Sequence, residues 1–251
     1  MEIKNLVVNT LVFDESLKKG VQQHELIGEI SALGIQKIEI RKEFIKNEEE
    51  FSLIREIAER FEVELFYSIP ELLFEGEMIK RNKMKALFEE AEKIGASYIK
   101  MTGGHATRIT QRDVDFINRL IKEYKIKGFT VENDQVASYS TGNKLLHLVR
   151  TLKNKGADVS LTFDIGNFIY VDEDPVENAK KMSDMVSVIH LKDVKRNPLE
   201  TTLLGQGDIP IQSVLNYLPK NINVVIEYPC GIHPIKVLKQ ELNNLLEKER
   251  V

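Results

Sequence analysis

Cysteine is almost missing from this chain. Cys230 is the single one among 251 residues, so no intrachain disulfide can form, and a reducing, intracellular home fits. Long apolar runs are missing as well. None approaches the roughly 18 residues that a membrane-spanning helix requires. The opening segment, MEIKNLVVNTLVF, has too short an apolar stretch and the wrong flanks for a signal peptide. A cytoplasmic protein without a membrane partner is the expectation. Nor is there an excess of charge of one sign. With 35 basic and 39 acidic residues the formal charge is −4, which offers no general attraction to nucleic acid or to anionic lipid. Low-complexity segments and linkers rich in Pro, Gly or Ser are lacking, and no glycine-rich dinucleotide fingerprint follows the first apolar run.

What is present is one alternation, repeated. Eight short runs rich in Val, Ile, Phe or Tyr read as buried strands: NLVVN, KIEIR, VELFYS, YIKMT, FTVEN, LTFDI, VSVIHL and NVVIEY. Helical spacing separates them. Phe51, Ile54, Ile57, Ala58 and Phe61 fall on one stripe, as do Met84, Leu87, Phe88, Ala91 and Ile94, with Gly95 placed to end that helix. Leu145, Leu148, Val149 and Leu152 repeat the pattern, Asp174-Pro175 reads as an N-cap and first turn, and Ile235, Leu238, Leu242 and Leu245 mark the last helix. Strand and helix in strict turn demand a parallel sheet with helical crossovers. Eight units in about 250 residues match a (β/α)8 TIM barrel, expected here as one domain over residues 1–251. An open doubly wound sheet is the competing architecture.

Side chains alternate along a strand between helices and barrel axis. Glu132 shares a face with Thr130, Asp164 with Thr162, His190 with Val188, Glu227 with Val225, and Glu39 with Arg41. Glu132, Asp164, His190 and Glu227 each close a predicted strand, the fifth to the eighth, on the face assigned to the interior. Parallel strands bring those ends to one mouth, where barrels build active sites. Three carboxylates so gathered repel one another, and a divalent cation relieves the conflict. Oxygen ligands with one imidazole suit Mn²⁺, Mg²⁺, Co²⁺ or Zn²⁺, with the oxygen-rich set leaning to Mn²⁺ or Mg²⁺. The plainer reading is a structural ion network in which Lys192 and Arg196 neutralise the acids.

At these residues the sequence resembles the xylose isomerase-like barrel superfamily, within it the sugar phosphate isomerase/epimerase group that includes ketose 3-epimerases. The motifs VEND, FDIGN, HLKDVKR, GQGDIP and VIEYP carry the resemblance in order and spacing. It implies one divalent metal held by Glu132, Asp164, His190 and Glu227, with Glu132 and Glu227 also the proton-transfer pair. It implies substrate contact and orientation of the catalytic carboxylate by Arg196. Asn167 stands where the family commonly has a histidine, and it is expected to meet a substrate oxygen without carrying a proton. The loop from Asp193 to Asp208 is expected over the mouth. The implied activity is a metal-dependent sugar isomerase or epimerase working through an enediolate on a small carbohydrate. Three alternatives stand beside it: an inosose dehydratase-like lyase on the same metal site, an AP endonuclease-like nuclease, and a non-catalytic sugar-binding barrel. A homo-oligomer is compatible with barrels of this kind, but no residue marks the face.

Overall fold

The fold was obtained as a computed structural model, which describes residues 2–76 and 78–247. The strands are β1 (Leu6–Asn9), β2 (Lys37–Arg41), β3 (Glu64–Phe74), β4 (Ala96–Gly104), β5 (Gly128–Glu132), β6 (Ser160–Asp164), β7 (Val186–Leu191), β8 (Asp193–Arg196), β9 (Leu199–Thr202) and β10 (Asn223–Ile226). β1 to β7 and β10 close into a barrel in which every neighbouring pair is parallel, and β1 pairs with β10 to complete the ring. All eight expected strands are therefore present, and the closed ring rules out the open sheet.

The helices are α1 (Asp14–Lys18), α2 (Gln23–Ser31), α3 (Glu48–Arg60), α4 (Arg81–Ile94), α5 (Gln111–Glu123), α6 (Ala137–Ser140), α7 (Gly142–Asn154), α8 (Asn167–Tyr170), α9 (Pro175–Met182), α10 (Ile211–Leu215) and α11 (Pro234–Glu247). The long ones surround the barrel through the stripes read from the sequence. Met84, Leu87, Phe88, Ala91 and Ile94 of α4 are buried, and Gly95 ends that helix in a left-handed conformation. Asp174 caps α9 by accepting from the backbone N–H of Val176 and Glu177. Phe61 departs from its stripe: it lies one residue past α3 and is 41% exposed, its ring set against Gly28.

Two cores result. The larger lies between strands and helices. The smaller fills the barrel axis with Val7, Phe66, Val188 and Val225, and Tyr98 packs against it, its ring stacked on Phe66 at 4.2 Å. This apolar plug forms a floor, and the polar strand ends stand above it.

Two features were not foreseen. β3 and β4 run past the expected VELFYS and YIKMT, to Phe74 and Gly104, because a register shift between Ile69 and Leu72 absorbs Pro70. Proline has no N–H for the ladder, so it sits in the irregularity while pairing resumes beyond it. The stretch after β7 is an antiparallel hairpin, β8 with β9, followed by a tight loop. One carboxylate staples that loop. Asp193, fully buried, accepts from the backbone N–H of Val194 and Ile209 on one oxygen and of Gly205 and Gly207 on the other. A Cβ on Gly207 would come within 2.2 Å of that carboxylate, so the approach is open to glycine alone.

Hydrogen bonds to a charged group contribute about 1.5–3 kcal/mol each. Asp193→Ala is accordingly expected to lower stability by about 3 kcal/mol or more in urea unfolding. Unchanged stability would contradict the staple.

Candidate metal centre

Each of the four expected ligands reaches the same point. One ligand atom each from Glu132, Asp164, His190 and Glu227 lies within 4.8 Å of the other three, and all four residues are buried. The register explains the meeting. His190 pairs with Asp164 on one side and with Val225 on the other, two residues before Glu227. Asp164 follows Thr162, which pairs with Glu132.

The carboxylates share a plan: one oxygen is held from behind and the other faces the centre. Behind Glu132, the Lys100 ammonium stands 2.5 Å from Oε2. Behind Asp164, the backbone N–H of Asn167 donates to Oδ1 at 2.9 Å. Behind Glu227, Arg41 donates to Oε1 at 2.6 Å and the Asn9 amide approaches the same oxygen at 3.4 Å. In front, Glu132 Oε1 and Glu227 Oε2 stand 2.8 and 3.1 Å from His190 Nδ1. The imidazole's far nitrogen, Nε2, stands 3.3 Å from Glu39 Oε2, which Asn9 also holds at 2.6 Å. A carboxylate behind a ligating histidine is the usual means of setting its ring and tautomer.

Lys192 is the cation that reaches the front. Its Nζ is 2.6 Å from Asp164 Oδ2 and 3.3 Å from Glu227 Oε2. Even so, Glu132 Oε1, Asp164 Oδ2 and both His190 nitrogens have no partner in hydrogen-bonding geometry, although all are buried. The short contacts are ionic and poorly aligned. Buried polar atoms left this way call for a partner, and a doubly charged ion among three oxygens and one imidazole nitrogen would supply it. The residues present fit such an ion.

Electrostatics agree with that placement. Burial opposes ionisation of Glu132, but Lys100 and His190 outweigh it and hold its carboxyl down at about 2. Burial likewise works against Glu227, which Lys192, His190 and Arg41 hold well below the usual range. Asp164 goes the other way: burial pushes it up to about 7, Lys192 pulls against the rise, and Glu227 and Glu132 add to it. For His190, burial favours the neutral ring, yet Glu39, Glu227 and Glu132 prevail and raise it well above its ordinary range.

The two expected substrate residues, Arg196 and Asn167, have protein contacts of their own. Arg196 was expected to orient the catalytic carboxylate, but the arginine on Glu227 is Arg41. Arg196 lies on the β8–β9 hairpin, half exposed, with its guanidinium 3.9 Å from Asp172. Its backbone N–H is held by Asp208, which fixes the hairpin edge and leaves the side chain outside the acid cluster. Asn167 is buried. Its amide donates to the Asn133 carbonyl at 2.7 Å and accepts from Gln135 at 3.0 Å, while its backbone N–H is the group that meets Asp164. Asn133 in turn exchanges two hydrogen bonds with the Asp164 backbone. Lys100, Asn9 and Asn133 were missed by sequence reasoning. The signal for the first two was available, since each lies at an inward position of its strand.

With this geometry in hand, comparison with known proteins is informative. The model of the xylose isomerase-like TIM barrel family matches residues 27–248. A curated relative, the uncharacterized protein YihM of Escherichia coli K12, is 26% identical over 116 residues, a stretch covering 44% of this chain and 34% of the relative. The chain thus matches about a third of that protein's length. Among solved structures, the IOLI protein with a binding zinc atom is 15% identical with a TM-score of 0.72, over 97% of this chain and 98% of that one. An L-ribulose 3-epimerase is 10% identical with a TM-score of 0.68, over 98% and 95%. The probable 3-DHS dehydratase AsbF from Bacillus anthracis is 14% identical with a TM-score of 0.66, over 96% and 98%. At such identities the likeness speaks for the fold.

Seating an ion on His190 Nδ1 expels the imidazole proton. Mn²⁺ binding in weakly buffered solution is expected to release at least about one proton per ion near neutral pH, from His190 and in part from Asp164, with apparent affinity rising with pH and falling as pH drops. Calorimetry in buffers of different ionisation enthalpy checks this. Affinity that does not change with pH would contradict it.

Proposed function

This chain belongs to the xylose isomerase-like TIM-barrel family, and from that premise we propose that it is a divalent-metal-dependent isomerase or epimerase of a hydroxy-ketone or hydroxy-aldehyde. Glu132, Asp164, His190 and Glu227 form its metal set, and Glu132 and Glu227 its proton-transfer pair. One observation carries the reading: three carboxylates are fixed from behind while their other oxygens and His190 Nδ1 face a common centre. The 3-epimerase among the similar structures supports a carbohydrate substrate, and the zinc of the IOLI protein supports a divalent ion. The oxygen-rich donor set favours Mn²⁺ or Mg²⁺ over softer metals.

A proton next to a carbonyl leaves reluctantly at neutral pH. A divalent cation in this set supplies Lewis-acid stabilisation of the negative charge that develops on the carbonyl oxygen. The side chains do the rest. Glu132 and Glu227 both meet His190 Nδ1 and are both held ionised, and either one accepts the proton from one face of the substrate carbon. Return of a proton from the opposite face gives the epimer, and return to the neighbouring carbon gives the aldose–ketose isomer. Lys100 and Arg41 limit each carboxylate to one orientation. The buried floor of Phe66, Tyr98 and Val188 closes the barrel beneath and keeps the reacting end above it.

A panel of ketoses and keto-acids, offered with Mn²⁺ or Co²⁺ in D₂O, is expected to reveal one substrate whose carbon-bound hydrogen exchanges with solvent. A positioned acid or base contributes on the order of 10²–10⁴-fold, so Glu132→Gln and Glu227→Gln should each slow exchange by about that factor in a folded protein. Metal-loaded protein that exchanges no substrate hydrogen would contradict the reading. Exchange accompanied by loss of water would move the assignment to a lyase.

A further inference from the structure

Among the four ligating groups, two of the inward oxygens already have a cation. Lys192 Nζ stands on Asp164 Oδ2 and Glu227 Oε2, the oxygens that face the centre, whereas Lys100 and Arg41 approach oxygens that face away. The placement of Lys192 is built from both sides. Its stem crosses Gly166, where a Cβ would come within 2.5 Å of its Cγ and 3.0 Å of its Cδ, so this path exists because the residue two beyond Asp164 has no side chain. The next residue along the chain is Asp193, whose four backbone hydrogen bonds pin the strand end from which the lysine projects. The ammonium is buried, which makes its pairing with the two carboxylates costly to break without a replacement charge.

We propose that Lys192 is a resident cation that competes with the divalent ion for Asp164 and Glu227, so that the ion enters by displacing its ammonium and the lysine sets how tightly the metal is held. This rests on the metal-dependent reading above. A monovalent ammonium and a doubly charged ion cannot both occupy the same two inward oxygens at contact distance without strong repulsion. The ammonium therefore has to withdraw along its flexible four-carbon stem. The affinity of the site is then the intrinsic affinity of four ligands, less what is lost in breaking the Lys192 pairs. Lys100 offers an internal comparison, since it is an equally buried ammonium beside Glu132 that does not occupy an inward oxygen.

The test is Mn²⁺ titration of the full chain by calorimetry, with wild type, Lys192→Met and Lys100→Met side by side. With no ammonium to displace from its buried pairs, Lys192→Met should bind Mn²⁺ at least about tenfold tighter than wild type. Lys100→Met should gain clearly less. The metal-free Lys192→Met protein should melt lower than wild type, and saturating Mn²⁺ should remove that difference. Equal or weaker binding by Lys192→Met, or an equal gain from Lys100→Met, overturns the proposal while leaving the metal site itself standing. Failure of wild type and of Lys192→Met alike to bind Mn²⁺ overturns both readings. Should the methionine variant not fold, a structure of wild type with Mn²⁺ decides: Lys192 Nζ is expected to have left hydrogen-bonding distance of Asp164 Oδ2, and its persistence there with the ion bound would refute the competition.

Discussion

The structure depends on a balance of opposite charges in a place that water barely reaches. Four carboxylates, Glu39, Glu132, Asp164 and Glu227, are buried at one end of the barrel, above an apolar floor. Bare, they would drive one another to protonation or force the strands apart. Arg41, Lys100 and Lys192 prevent this, and because Arg41 and Lys100 each meet an oxygen that faces away from the centre they give direction as well as charge. An acid held by one oxygen has its second oxygen free and aimed. That is how a crowded anionic site becomes a set of ligands with a common centre.

The barrel makes such an arrangement easy to reach. Strand alternation sends every second residue inward, and parallel order collects all inward chain ends at one mouth. Nothing more is needed for residues from β5, β6, β7 and the end of β10 to meet, although 95 positions separate Glu132 from Glu227. The apolar floor of Val7, Phe66, Val188 and Val225 sets the depth at which polar groups begin. The hairpin stapled by Asp193 begins two residues past the strand that bears His190, with Lys192 between them.

Much of this was legible in residues alone, and the exceptions have physical causes. The strands and the four converging side chains followed from period-two alternation and from short β-rich runs. The long helices followed from spacing of three and four. These are local signals that survive folding because burial enforces them. Pro70 concealed the extension of β3, since a bulge is a compromise between two strands and is written in neither alone. The hairpin of β8 and β9 was hidden because its stability comes from Asp193 meeting glycines more than ten positions away. The exchange of Arg196 for Arg41 has a similar origin. Sequence places both at the mouth, but only the closed ring sets β2 beside β1 and β1 beside β10, and so puts Arg41 on Glu227. Lys100 was passed over because an inward lysine reads as an unlikely core residue until the acid opposite it is known.

The central claim is that four front atoms hold one doubly charged ion. Anomalous diffraction at the manganese edge from crystals soaked in Mn²⁺ tests it most directly. The account requires a single strong peak at about 2.0–2.3 Å from Glu132 Oε1, Asp164 Oδ2, His190 Nδ1 and Glu227 Oε2. A peak elsewhere on the molecule, or none at saturating metal, would contradict it.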